Sequence, residues 1–134
     1  MISNFSKTQL IISRIMSGIV ILFMLADSLF KFIKPEPVIE GTLELGYAEH
    51  HILIIGILGL LATIVYAIPS TAVLGAVLLT GYFGGAIATH IRLDNPLFSH
   101  TLFPVYLAVL AWGGLWLRSK QLQTLMPFKK RDQS

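Results

Sequence analysis

The sequence predicts an all-α integral membrane protein, a four-helix transmembrane bundle with a short interfacial helix between spans one and two. Three observations support this fold class. The 134-residue chain is 54% hydrophobic and only 13% charged, with a mean hydropathy of +0.74, whereas soluble domains contain about a quarter charged residues. Residues 52–89 carry no formal charge. Basic residues are also distributed unequally between the two predicted membrane faces.

Span one is predicted over residues 10–32, because crossing a bilayer takes about 20 predominantly apolar residues. Its charged residues lie close to the two interfaces, where long side chains extend into the headgroup region. The segment also has a feature of a secretory signal peptide, since Lys7 and Arg14 precede an apolar run. The small-x-small cleavage pattern is missing at Met24-Leu25-Ala26, so we interpret the segment as a permanent helix.

Spans two and three follow from a break in the long uncharged run. Pro69 has no backbone N–H and disfavours helical conformation at the residue before it. The run therefore folds into a helical hairpin, with span two at residues 51–68 and span three at residues 70–90. Span four is predicted at residues 101–117, which carry no charge, and Ser99 suits its N-cap position.

The connection at residues 31–50 is the only long one between spans. Pro37 suits the first position of a helix, and Gly46 suits the residue just after a helix end. We therefore expect a short helix over about residues 37–45, lying on the outer membrane surface.

The distribution of Lys and Arg predicts the orientation, because the side with more of them is normally cytoplasmic. Four spans place both termini on one side. That side has Lys7, Arg14, Arg118, Lys120, Lys129, Lys130 and Arg131, and the other side has Lys31, Lys34 and Arg92. Residues 1–118 are thus predicted to form one four-span domain with both termini cytoplasmic, and residues 119–134 a basic cytoplasmic tail. We attribute the net charge of +3 to basic residues at the cytoplasmic membrane face, so no nucleic-acid partner is predicted.

Small and polar residues predict which helix faces pack, since helices in lipid associate through close contacts and polar pairs. On span three, Gly81, Gly84, Gly85 and Ala88 share an arc of about 100° with Arg92. We predict that this face packs against a helix of the bundle or of a partner, with a ligand cavity as the alternative. The corresponding inward faces are Ser13, Ser17, Met24, Asp27, Ser28 and Lys31 on span one, and Glu49, Gly56, Gly59 and Thr63 on span two.

Charged residues gather at the outer end of the predicted bundle, opposite the termini. Ionisable side chains in a membrane are costly unless they are paired, so we expect an ion pair between Asp27 and Lys31 and a second between Glu49 and Arg92. These four residues bound our candidate ligand-binding site, and Gly84, Gly85 and Ala88 of span three form its floor. The site would bind an anionic or polar head group or relay protons. The alternative is that the ion pairs only fasten the helix ends.

Histidines and aromatic residues are assigned no chemistry. His50 and His51 are adjacent and point about 100° apart on a helix, so they cannot both face one metal. Haem ligation by one of them with His100 is geometrically open but has no supporting motif, and we predict no metal site and no cofactor. Tyr66 and Trp116 fit the aromatic belt at the cytoplasmic interface. The chain has no cysteine and no catalytic-triad, phosphate-loop or zinc-hydrolase motif, so no catalytic residue is assigned.

Several motifs together suggest a family. The most specific is Gly81-Tyr82-Phe83-Gly84-Gly85-Ala86-Ile87-Ala88-Thr89-His90-Ile91-Arg92 in span three. Others are Asp27 with Lys31 and Phe32 in span one, Leu45-Gly46-Tyr47 before span two, and Leu102-Phe103-Pro104 through Trp112-Gly113-Gly114-Leu115-Trp116-Leu117-Arg118 in span four. Together these motifs resemble the DoxX-like family of small four-helix membrane proteins, over nearly the whole chain up to Arg118. The resemblance implies a location in a bacterial inner membrane.

The same resemblance implies less about activity. Relatives are described as subunits of thiosulfate:quinone oxidoreductase, as members of membrane oxidoreductase assemblies, or without an assigned activity. It favours an accessory, non-catalytic subunit of a quinone-linked membrane redox system, which is not an enzyme by itself. Together with the glycine face of span three, it predicts as partners the lipid bilayer, a second copy of the chain or a membrane or soluble oxidoreductase, and quinone. The alternative is a stand-alone carrier or channel for a small polar solute or protons, gated by Asp27, Lys31, Glu49 and Arg92.

Overall fold

The computed structural model describes residues 5–127, which form helices joined by short turns and contain no β-strand. The helices are α1 (Lys7–Ile33), α2 (Glu36–Glu44), α3 (His51–Ala67), α4 (Ala72–Arg92), α5 (Phe103–Leu117) and α6 (Lys120–Leu125). The prediction of an all-α membrane fold is confirmed. Within residues 5–127, three helical stretches are long and apolar enough to cross a membrane: Lys7–Ile33, Pro69–Arg92 and Leu97–Leu117. The fourth, α3, is apolar and has 17 residues.

The four long helices pack in a closed order, because α1 and α4 each contact both α3 and α5. Near the start of α1, Gln9 Nε2 donates a hydrogen bond of 2.7 Å to the carbonyl of Leu117 at the end of α5. The two ends of the described chain therefore lie together, at what we call the inner end of the bundle. The opposite end, beside α2, is the outer end. Which end faces the cytoplasm stays a prediction, and Lys129, Lys130 and Arg131 of the predicted tail lie outside the described residues.

The connection after α1 contains the short helix that the sequence predicts. Lys34 ends α1 in a left-handed conformation with φ of 56°, and Pro35 follows it as the N-cap of α2. Helix α2 ends at Glu44, two residues before Gly46, whose φ of +89° reverses the chain toward α3. The surface helix expected at residues 37–45 is therefore present, with both ends displaced by one residue.

Proline sets the boundaries of the next helices. The chain is extended at Ile68, before the turn at Pro69–Thr71, so α3 and α4 form the predicted hairpin. Ser99 does not cap α5. It lies in a π-helical turn over Leu97–Thr101, and its hydroxyl pairs with His100 Nδ1 at 2.8 Å. This turn follows Pro96 and delays the start of α5 to Phe103.

The inward faces of α1 and α3 are the small and polar faces that the sequence predicts. Helix α1 buries Ser13, Ser17, Val20, Met24 and Ser28, and α3 buries Ile52, Gly56, Gly59, Ala62, Thr63 and Tyr66. Helix α4 turns a different face inward, which consists of Ala72, Gly75, Ala76, Leu79, Phe83 and Thr89. Large aliphatic side chains on the outside of all four helices are exposed. This distribution suits a helical bundle surrounded by lipid.

Candidate functional site

Asp27 and Lys31 form the predicted ion pair at the outer end of α1. The two residues are one helical turn apart, and the side chain of Lys31 is only 17% exposed. Space for its aliphatic stem comes from Gly56 on α3, where a Cβ atom would lie 3.0 Å from Lys31 Cβ. The predicted small-residue face of α3 therefore admits a charged side chain from α1 into the outer half of the bundle.

The second predicted pair, Glu49 with Arg92, is wrong. Arg92 Nη2 instead donates a hydrogen bond of 2.8 Å to the carbonyl oxygen of Leu45. Glu49 is exposed and forms no ion pair with any residue from 5 to 127. The reason is the backbone at Gly46, where the positive φ turns the chain. Because Gly46 has no side chain, the Arg92 guanidinium can lie close to its Cα. Arg92 thus fastens the α2–α3 connection onto the end of α4.

A cavity of about 300 Å³ lies between α3 and α4 in the outer half of the bundle, and we call it the outer pocket. Lys31 forms part of its wall. The remaining lining residues are Thr42, Leu45, Tyr47, Ile55, Leu58, Gly81, Tyr82, Gly85, Ala86, Thr89 and His90. Among the predicted site residues, the outer pocket therefore brings together Lys31 and Gly85, together with Gly81 of the predicted packing face.

Tyr82 is a residue of this pocket that the sequence analysis missed. Its phenol crosses Gly59 on α3, where a Cβ atom would lie 3.2 Å from the hydroxyl oxygen. The hydroxyl makes no hydrogen bond within residues 5–127, whereas the nearby Tyr47 hydroxyl is paired with Thr89 Oγ1 at 2.8 Å. The available sequence signal was a tyrosine inside an apolar span, facing a neighbouring helix whose packing face carries glycine.

The glycine face of α4 does not pack within the described chain. Gly81, Gly84 and Gly85 have no atom within 4 Å of the position where a Cβ would lie, and all three are exposed, as is Ala88. Gly81 and Gly85 line the outer pocket. Gly84 lines a different cavity on the other side of α4. The predicted site floor is thus divided between two cavities, and Ala88 contributes to neither.

A second, more polar cavity of about 560 Å³ adjoins the outer pocket, and we call it the outer vestibule. Lys31 and His90 line both cavities. Thr42 and Leu45 also line both, whereas Asp27, Asn95 and His100 line the vestibule only, as do four residues of α2. The ion pair of α1 therefore lies where a membrane-facing pocket meets a cavity at the polar end of the bundle.

The histidines pair in a different way from the haem alternative. The rings of His90 and His100 lie 5.8 Å apart, and His90 Nδ1 is hydrogen-bonded to the Asn95 amide at 2.8 Å. His50 and His51 contact each other, with ring centres 4.2 Å apart. Among residues 5–127, no three His, Asp or Glu side chains form a group suited to a metal ion.

A sequence profile described as the DoxX-like family matches residues 15–114. The match covers most of the chain and includes α3, α4, the ion pair of α1 and every lining residue of the outer pocket. The chain belongs to the DoxX-like family. No curated protein and no solved structure matches the chain. In this DoxX-like protein, Arg118 and α6 lie outside the matched segment.

At the inner end of this DoxX-like bundle, Tyr66 belongs to a buried polar network and does not lie in the interfacial belt predicted for it. The Tyr66 side chain is 1% exposed, because α3 turns it into the bundle rather than toward the interface. Its hydroxyl donates to the Ala111 carbonyl at 2.6 Å and is paired with Ser17 at 2.7 Å. Arg118 Nη1 donates to Ser17 Oγ at 2.6 Å and to Ser13 Oγ at 3.1 Å. From the sequence, Arg118 is only a basic residue of the predicted cytoplasmic face and the last residue of the span-four motif.

A further cavity of the DoxX-like chain, of about 620 Å³, runs along the seam between α4 and α5. We call it the inner groove, because α6 borders it at the inner end. Its walls are apolar, and both tryptophans of the chain, Trp112 and Trp116, line it. Met16 of α1 and Gly84 of α4 also line the groove.

Proposed function

We propose that this DoxX-like membrane protein is an accessory, non-catalytic subunit of a quinone-linked redox system. In this proposal, the outer pocket holds the ring of a lipid-soluble quinone. The supporting observation is that one pocket combines polar hydrogen-bond donors with an apolar, lipid-facing side. The family match and the apolar helices support the membrane setting, and the redox role is our inference.

The donors of the outer pocket suit a neutral carbonyl group. The Lys31 ammonium has three donors, and Asp27 takes one of them, so others can reach a ligand oxygen. The Tyr82 hydroxyl supplies a further donor, since it has no hydrogen-bond partner within residues 5–127. Because Asp27 already neutralises the charge of Lys31, the pair favours an uncharged acceptor such as a quinone oxygen over an anion.

The walls of the pocket suit a flat apolar ring that enters from the bilayer. Leu58 is 56% exposed on the lipid-facing side of α3, and Gly81 and Gly85 leave the facing surface of α4 without side chains. A volume of about 300 Å³ is at the small end of ligand pockets, which occupy about 300–1,000 Å³. The pocket therefore accommodates a head ring, and an isoprenoid tail would remain in the surrounding lipid.

A photoreactive quinone tests the proposed site directly. Purified protein in lipid vesicles is labelled with an azidoquinone, with and without excess unlabelled quinone, and the labelled peptides are mapped. We expect displaceable labelling on α3 and α4 around Leu58 and Tyr82. Gly85→Leu should block it, because the new side chain fills the pocket. Gly84→Leu is the matched control, since it alters the neighbouring glycine and points into the other cavity. Equal labelling of both variants would exclude this pocket.

The accessory role needs a separate experiment. The chain is tagged and purified from native membranes in a mild detergent, and the co-purifying proteins are tested for a flavin- or metal-containing oxidoreductase. We expect quinone reduction by the complex and none by the isolated chain. If the chain purifies without an oxidoreductase and still binds quinone, the pocket assignment stands and the accessory role fails.

The outer vestibule favours a second candidate function, a carrier for a small polar solute or protons. Its charged and imidazole side chains meet the membrane-facing pocket at Lys31. Below them, however, Val20, Met24 and Leu79 are at most 1% exposed and fill the centre of the bundle. Proton flux into proteoliposomes, compared between the wild-type chain and Lys31→Met, separates the two functions. Flux that depends on Lys31 would favour the carrier.

A further inference from the structure

We propose that the inner groove binds one acyl chain of an anionic phospholipid in the leaflet at the inner end of the bundle. This inference is independent of the quinone proposal, because the groove and the outer pocket lie on different sides of α4. The groove has α4 and α5 as its walls. Leu122 and Met126, from α6 and the residue after it, border it near the membrane surface.

The groove is long enough to hold one acyl chain. Its lining on α5 extends from Val105 to Leu117, which at 1.5 Å per residue is about 18 Å. Half of a hydrocarbon core of about 30 Å is about 15 Å. The lining therefore covers most of α5 and is slightly longer than one leaflet is deep, so one acyl chain that enters at the inner end fits along it.

The polar groups in the groove are already paired, which favours a hydrocarbon occupant. Trp112 Nε1 donates to Thr80 Oγ1 at 2.6 Å, and that hydroxyl donates in turn to the Ala76 carbonyl at 2.7 Å. Trp116 Nε1 donates to the Met126 carbonyl at 2.8 Å. The remaining surface is formed by aliphatic, aromatic and glycine residues. A ligand with polar atoms along its length would find few partners here.

The charges at the inner end favour an anionic headgroup above that chain. The charged residues described there are Lys7, Arg14, Arg118 and Lys120, and within residues 5–127 every acidic residue lies on the outer half, from Asp27 to Asp94. Arg118 is held by the serines of α1, and Lys120 is exposed at the start of α6. Basic residues at the membrane surface attract anionic lipids. The basic residues at the inner end therefore favour an anionic headgroup, and the apolar walls of the groove favour an acyl chain.

Tryptophan fluorescence gives a direct readout, because the only two tryptophans of the chain line the groove. The full chain is reconstituted in phosphatidylcholine vesicles that contain a small fraction of a phospholipid with brominated acyl chains, which quenches nearby indoles. The brominated lipid is either phosphatidylglycerol or phosphatidylcholine. We expect brominated phosphatidylglycerol to reach half of the maximal quenching at about a fivefold lower fraction, the factor expected from one basic residue at the surface. Raised salt should reduce this preference.

Three variants make the result specific to the groove. Gly84→Leu places a side chain in the groove without a clash at Cβ, and it should abolish the preference for the anionic lipid. Gly85→Leu fills the outer pocket instead and should retain the preference. Lys120→Gln should weaken the preference without changing the quenching by phosphatidylcholine. Equal quenching by both brominated lipids in the wild-type chain, or an unchanged preference in folded Gly84→Leu, would overturn the proposal.

Discussion

The hydroxyl groups of Ser17 and Tyr66 lie 2.7 Å apart in the interior of the bundle and connect α1 with α3. The direction of this hydrogen bond follows from its neighbours. Tyr66 donates its hydroxyl proton to the Ala111 carbonyl, so Ser17 donates to Tyr66. Arg118 in turn donates to Ser17. The chain of hydrogen bonds therefore runs from Arg118 through two helices to the backbone of α5, and every proton in it has an acceptor.

Replacing Tyr66 by Phe tests how much this network stabilises the bundle. The change removes the donor to Ala111 and the acceptor for Ser17, while the ring continues to fill its site. Hydrogen bonds between membrane helices contribute about 0.6 kcal/mol on average and up to about 1.7 kcal/mol, so we expect the free energy of unfolding to fall by about 1–2 kcal/mol. Titration with a denaturing detergent measures the change.

Tyr106→Phe is the control for that comparison. The Tyr106 side chain is 44% exposed, and its hydroxyl donates to the Phe98 carbonyl at 3.1 Å. We expect its effect on the free energy of unfolding to stay within about 0.5 kcal/mol, as for most surface substitutions. Equal losses in the two variants would mean that the Tyr66 hydroxyl has no special role in the interior.

Arg118 and Lys120 carry the same charge two residues apart but differ in their contacts. Arg118 donates to Ser13 and Ser17, whereas Lys120 is exposed. Arg118→Ala should therefore lower the unfolding midpoint clearly, and Lys120→Ala should leave it nearly unchanged. Both variants remove one positive charge, so the comparison in a detergent of fixed ionic strength separates hydrogen bonding from net charge. Equal midpoints would contradict the proposed anchoring by Arg118.

The parts of the fold inside regular helices were predictable from the sequence. The inward faces of α1 and α3 follow from the spacing of small and polar residues, because helix geometry fixes which residues share a face. For the same reason, the ion pair between Asp27 and Lys31 was predictable from their separation of four residues. The hairpin at Pro69 was predictable because proline restricts both itself and the residue before it.

The parts that depend on irregular backbone or on helix rotation were not predictable. The partner of Arg92 is set by the turn at Gly46, and no helical projection extends through that turn. The inward face of α4 includes Gly75, although the clustering of glycines favoured the face with Gly81. The sequence alone does not distinguish a glycine at a helix contact from one that is exposed. The close approach of Tyr66 to Gly75 shows where the helices touch.

Gly75 and Gly81 therefore respond differently to the same substitution. A Cβ atom on Gly75 would lie 2.1 Å from the backbone nitrogen of Tyr66, whereas one on Gly81 would meet no atom within 4 Å. We expect Gly75→Ala to destabilise the bundle by about 3 kcal/mol, at the upper end of usual overpacking costs. Gly81→Ala should leave stability unchanged or raise it slightly, because alanine favours helix over glycine. Unfolding curves in one detergent compare the two variants.

The orientation predicted from the basic residues is testable with reporter fusions. Reporters are placed after Ser70, in the turn between α3 and α4, and at the C-terminus. Both positions belong to the inner end if four helices cross the membrane, and the surplus of Lys and Arg predicts that this end is cytoplasmic. We expect a cytoplasmic signal from both fusions. A periplasmic signal from either one would refute the predicted topology, and opposite signals would show that the number of spans between the two points is odd.

Self-association through the exposed face of Gly81 and Gly85 is the last prediction. The two residues have the spacing that lets helix backbones approach closely, and no part of the described chain covers them. We expect the quinone-free chain to form a dimer in mild detergent through this face, which would close the outer pocket to quinone, and Gly81→Leu to shift it to the monomer while it remains folded. Gly18→Leu on α1 is the control, since Gly18 also has open space at its Cβ position. Light scattering of the purified detergent complexes measures the protein mass. An unchanged mass in folded Gly81→Leu would contradict the predicted interface, and a monomeric wild-type chain would contradict self-association in detergent.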